Sequence, residues 1–98
     1  MLTYLVLGNF TDQGIRHVKD TTKRADSIRE MAAKLDIAVK ETYWFLGYYD
    51  IALIVEAPDE TSMTALGLSI GALGNVHTQT LRAFSAEEIN RVLGRMVS

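Results

Sequence analysis

Tyr49 and Asp50 end the run Gly47-Tyr48-Tyr49-Asp50, and a phenol beside a carboxylate could pass a proton to or from a bound molecule. The same residue types also suit a turn, where glycine supplies backbone freedom and aspartate bonds nearby amides. His77 is the natural base near neutral pH, provided a carboxylate stands beside it. Its alternate neighbours Gln79 and Leu81 share its strand face. His17, next to Arg16 and close to Lys19, reads as solvated surface. Two histidines with no cysteine and no clustered carboxylates make a poor metal site, so no metal is expected.

Two further side chains could contact a ligand. Trp44 shares a strand face with Lys40, Thr42 and Leu46, and would line an apolar cavity between sheets or fill a core. Arg82 shares a face with Thr78, Thr80 and Phe84, where it would clamp a carboxylate ligand or pair with an acid across a dimer. No phosphate loop, nucleophile elbow or zinc-ligand spacing occurs, and no cofactor is implied.

These residues must be held by strands and helices that the residue pattern marks out. Leu2 to Gly8 is an apolar run suited to a strand and stopped by Gly8-Asn9. Thr11 caps a helix expected from about Asp12 to Leu35, bent near Asp20 to Thr22, with Ile28, Met31, Ala32 and Leu35 at helical spacing. Val39 to Leu46 and Ile51 to Glu56 form an antiparallel hairpin around the Gly47 to Asp50 turn. Asp59 caps a second helix that presents Met63, Leu66, Ile70 and Leu73 and ends at Gly74. Val76 to Phe84 is the fourth strand. Ser85 and Glu88 then form a capping box that opens a last helix, with an apolar stripe of Ile89, Val92, Leu93 and Met96. The order is βαββαβ plus a C-terminal helix, an α+β class with the ferredoxin-like plan and a four-stranded antiparallel sheet.

Two helices can cover only one face of that sheet, so its strands should alternate apolar and polar residues. The central ones do not. Leu2, Tyr4 and Val6 point one way and Leu5 and Leu7 the other; Ile51, Leu53 and Val55 oppose Ala52 and Ile54. An uncovered apolar face of roughly several hundred Å² is more than a monomer usually shows. A second copy paired face to face is expected to cover it, giving a two-fold dimer with a barrel-like core. The C-terminal helix folding under its own sheet is the alternative, but four apolar residues are few for the whole face.

Length and composition are consistent with this. Residues 1–98 suit one domain. Twelve acids against ten bases give no positive field for nucleic acid or an anionic membrane, so neither is expected as a partner. The chain contains no cysteine, no apolar run long enough to span a bilayer and no signal-peptide pattern at Met1 to Leu7, which together predict a cytoplasmic protein.

Leu46-Gly47-Tyr48-Tyr49-Asp50, the strand Ile51 to Val55 and Glu56-Ala57-Pro58-Asp59-Glu60 together resemble the signature of the GYD domain family. Thr11 to Arg16 with Lys23-Arg24-Ala25, and Leu73-Gly74-Asn75-Val76 with Thr78, Thr80 and Leu81 to Phe84, extend the resemblance over nearly the whole chain. Tyr48 stands between the glycine and the Tyr-Asp pair, giving a G-x-Y-D form. The resemblance implies a dimeric α+β barrel, an architecture shared by cofactor-free monooxygenases, lactone isomerases, haem-degrading enzymes and amino-acid-sensing domains. Three readings follow: a homo-oligomeric module binding a small molecule or partner at the inter-sheet cavity, a cofactor-independent oxygenase or isomerase, and a purely structural assembly protein. Fold alone does not choose among them.

Overall fold

A computed structural model describes residues 1–98. Strand β1 (Leu2–Phe10) leads into a short helix α1 (Asp12–Arg16), a 3₁₀ turn at Val18–Asp20 and helix α2 (Thr21–Ala33). The hairpin β2 (Ala38–Trp44) and β3 (Ile51–Ala57) follows, then α3 (Glu60–Ala72), β4 (Val76–Ala83) and α4 (Ala86–Leu93). The sheet order is β2-β3-β1-β4, and every pairing is antiparallel. This is the ferredoxin-like arrangement, with β1 and β3 at its centre. No helix is long and apolar enough to cross a membrane.

Local chemistry explains most boundaries. The Thr11 side chain accepts from the Gly14 amide and starts α1. Asp59 accepts from the Ser62 amide at 2.7 Å, which starts α3 and holds the Asp59 carboxyl below the usual carboxylate range. Gly74, at φ +80°, ends α3 in a conformation that disfavours any side chain. The expected break in the first helix falls a few residues early, at His17, and Asp20 occupies the cap position of α2 without a side-chain capping bond.

The hairpin differs from expectation in two ways. Strand β2 ends at Trp44 rather than Leu46, because Phe45 donates its amide to the Asp50 carbonyl and closes a wider loop over Phe45 to Asp50. Leu46 at its tip is fully exposed. A register irregularity between Val39 and Glu41 also interrupts the β2–β3 ladder. It lets Val39 and Thr42, an odd number of positions apart, both oppose the inward residues Val55 and Leu53.

The two faces of the sheet are unlike. Tyr4, Val6, Leu53, Val55 and Ala57 pack beneath Ile28 and Ala32 of α2 and Met63, Leu66 and Ile70 of α3 to form the core. The Tyr4 hydroxyl is buried there without a hydrogen-bond partner. Tyr4→Phe should therefore raise stability by about 1 kcal/mol in urea melts, since it removes an unsatisfied group and keeps the ring. On the opposite face, Leu5 lies between Ile54 and Leu81, and Leu7 between Ala52 and Gln79. No helix covers this face. Helix α4 buries none of its residues and leaves Ile89, Val92 and Leu93 exposed; it ends at Leu93, so Met96, expected on the same stripe, lies beyond it and is exposed too.

Candidate functional site

The loop Phe45 to Asp50 folds back to one end of the open face and is held there by side-chain amides. Asn9 donates to the Tyr48 carbonyl at 2.6 Å, and the Tyr49 hydroxyl donates to Gln79 Oε1 at 3.2 Å. The Tyr48 and Tyr49 rings meet edge to face, 5.0 Å between centroids. His77 lies opposite Asn9 on β4, so Tyr49, His77, Asn9, Gln79 and Leu7 line one shallow cavity of about 180 Å³. The structure thus brings together Tyr49 and His77, two of the residues singled out by type. Asn9 and Gln79 were legible only as a strand stop and a face neighbour, since amides that tie a distant loop leave no local pattern.

Asp50 does not join them. Its Oδ2 accepts from the Phe10 amide at 2.8 Å, while its own amide donates to the Gly8 carbonyl at 2.9 Å. The carboxylate fastens the loop to the end of β1, 40 positions away in sequence, rather than bonding amides within the turn, and the Tyr49-Asp50 proton pair is not assembled. No acidic residue lines the cavity, so no carboxylate is there to orient His77 as a base. No group of three or more histidines and carboxylates is placed to hold a metal. The cavity offers neutral donors and acceptors beside aromatic rings, a composition suited to hydrogen-bonded contact with another molecule.

Trp44 lies elsewhere. Its register opposite Ile51 turns it to the helical side of the sheet, where its indole donates to Thr21 Oγ1 at 3.0 Å. Of the two places expected for Trp44, a cavity between sheets or a core, the first is corrected: its partner is α2. Arg82 also faces the helical side, opposite Tyr4. Its guanidinium bonds the Ala83 carbonyl, stacks 4.4 Å from the Phe84 ring and forms a 2.8 Å ion pair with Glu88 of α4. The acid that Arg82 meets belongs to its own chain.

That ion pair sets the base of α4. The Ser85 amide, and after it the Arg82 guanidinium, draw the Glu88 carboxyl down to about 2. A carboxyl lowered on folding stabilises the folded form above its ordinary value of 4.5 and loses that contribution as pH falls towards 2. Amide protection factors over Ala86–Leu93, corrected for the intrinsic slowing of exchange in acid, should therefore fall across that window, and Glu88→Gln should flatten the response. Protection factors unchanged down to pH about 2 would contradict this assignment.

Comparison with known proteins adds the lineage. A glutamine synthetase and cystathionine beta-lyase binding protein of Thermus thermophilus is 29% identical over 90 residues, covering 91% of this chain and 95% of that protein. The crystal structure of TTHA0845 from Thermus thermophilus superposes with a TM-score of 0.58 at 28% identity, over 88% of this chain and 96% of that one. The GYD domain family model matches residues 4–93, which take in most of β1, the Phe45 to Asp50 loop and α4. The chain belongs to the GYD domain family.

Proposed function

We propose that this chain is a small protein-binding module that pairs with a second copy through its open sheet face and presents the Tyr48-Tyr49 end to a larger protein. The observation that carries the reading is the uncovered face itself, where Leu5, Leu7, Ile54 and Leu81 stand together with no helix over them. Covering a face of roughly several hundred Å² at about 25 cal/mol per Å² is worth several kcal/mol per chain before association costs. Tyrosine is among the residue types enriched where proteins meet. Binding is favoured over catalysis because Asp50 is engaged by main chain and His77 stands without a carboxylate.

The relative from Thermus thermophilus is named for binding glutamine synthetase and cystathionine beta-lyase. By analogy, an enzyme of nitrogen or sulfur amino-acid metabolism is the partner class to test first. The tagged chain, incubated with glutamine synthetase and cystathionine beta-lyase purified from its own cells, should co-elute with one of them on a sizing column. Tyr48→Ala with Tyr49→Ala should weaken that complex about tenfold or more, as expected for interface aromatics. Failure to retain either enzyme at micromolar concentration would remove the named partner class, and an unchanged complex with the double variant would remove the Tyr48-Tyr49 surface.

A further inference from the structure

A second cavity lies on the other side of the sheet, where α2 and α3 part above the ends of β1, β3 and β4. It is a cleft of about 240 Å³ with Ile28, Ile51, Ile70 and Val76 as its walls. The same four residues bound a void of about 30 Å³ beneath it, so the apolar space continues inward towards Leu53. None of the residues lining the cleft is acidic, and its one charged group is Arg24.

Arg24 is fixed in place by α1 and the turn after it. One guanidinium nitrogen donates to the His17 carbonyl at 2.9 Å and the other to the Gly14 carbonyl at 3.1 Å. A guanidinium carries five N–H groups, so about three remain uncommitted. Arg24 takes part in no ion pair; those present join Lys40 to Glu56, Arg82 to Glu88 and Arg91 to Glu87. Thr21 and Asn75 share the cleft with it, and Asn75 Oδ1 already accepts from Gln13 Nε2 at 2.9 Å. A helix-capping arginine alone explains the two carbonyl bonds. It does not explain an unpaired cation at an unfilled apolar cleft, which one longer side chain at Ala25 would close.

We infer that this cleft binds a small amphipathic carboxylate, with the apolar tail against Ile28, Ile51, Ile70 and Val76 and the carboxylate on Arg24. Guanidinium and carboxylate match in geometry and charge. Water occupies about 30 Å³ in the liquid, so the cleft takes about eight non-hydrogen groups, enough for the carbon chain of a medium-chain acid such as octanoate with its carboxylate oxygens on Arg24. The cleft lies on the helical side, so pairing through the open face leaves it accessible, and its occupancy does not depend on the partner proposed above.

Isothermal titration of the full chain with octanoate, octan-1-ol and acetate tests this. Octanoate should bind saturably and about tenfold or more tighter than octan-1-ol, with acetate weaker than both. Arg24→Gln should bring octanoate to within about threefold of the alcohol, and Ala25→Leu should abolish binding of both while circular dichroism stays unchanged. Equal binding of octanoate and octan-1-ol to the unaltered chain would overturn the inference without recourse to any variant. So would octanoate affinity that survives Ala25→Leu, or titration that never saturates.

Discussion

Gly14→Ala should destabilise the fold by about 3–5 kcal/mol, although alanine is ordinarily the better helix former by about 1 kcal/mol. The reason is a backbone-to-backbone approach. A Cβ at Gly14 would lie 1.9 Å from the Asn75 carbonyl oxygen and 2.9 Å from its carbon. Neither is the end of a flexible side chain. The Leu73 to Asn75 corner cannot withdraw cheaply either, because Thr11 donates its amide to the Asn75 carbonyl and its hydroxyl to the Gly74 carbonyl. Gln13 Nε2 adds bonds to the Leu73 carbonyl and Asn75 Oδ1. Either the helix α1 shifts or that set of bonds breaks. For a chain of this size the midpoint of thermal unfolding should fall by about 15 °C or more. Gly67→Ala is the matched control. Gly67 sits within α3, and a Cβ added there would meet nothing within 4 Å, so that change should gain about 0.5–1 kcal/mol. Urea melts of the two variants should diverge in sign, and a Gly14→Ala cost below about 1 kcal/mol would contradict the packing described.

What could be read in advance follows the range over which each signal acts. The Ser85–Glu88 capping box, the Asp59 cap and the Gly74 stop are set by residues within a few positions of one another, and each stands where its types placed it. Which residues of β1 and of β3 share a face was also legible, because side chains alternate with period two in any strand, although both faces being apolar hid which one meets the helices. β2 carried no such mark. Ala38 to Trp44 mixes polar and apolar residues without alternation, so the irregularity at Lys40 was hidden and nothing marked which side of the sheet Trp44 takes. Phe45 and Leu46 extended the apparent strand because apolar residues in an exposed loop have the same signature as apolar residues in a sheet. Asp50 and Arg24 were opaque for another reason. Their partners, the Phe10 amide and the Gly14 and His17 carbonyls, are main-chain groups that only the folded chain brings near. Arg24 in particular stands among Lys23 and Asp26, a pattern that sequence alone does not distinguish from solvated charge.

Leu5→Glu should convert the dimer proposed above into a monomer and raise its dissociation constant about 100-fold or more. Leu5 lies near the middle of β1, one of the two central strands, opposite Ile54 on one side and Leu81 on the other, and its side chain points away from the core. In a two-fold pair the same substitution enters both copies, so two carboxylates would meet in one apolar interface. Desolvating charge without a partner costs several kcal/mol, more than a face of this size returns. The chain itself should still fold, because in the free subunit Leu5 lies on the open side and its replacement meets water. Two measurements distinguish loss of pairing from loss of fold. Light scattering on a sizing column should report one chain for Leu5→Glu and two for the unaltered protein. The unfolding midpoint of the unaltered protein should also rise with protein concentration, as mass action requires of an associating native state, while that of Leu5→Glu should not. Two chains per particle with Leu5→Glu would move the interface off the open face, and concentration-independent unfolding of the unaltered protein would exclude association in the micromolar range. Leu7→Glu, one step along the same face and beside Gln79, should act in the same direction. It also borders the Tyr49–His77 cavity, so any partner that sits there should be lost with it.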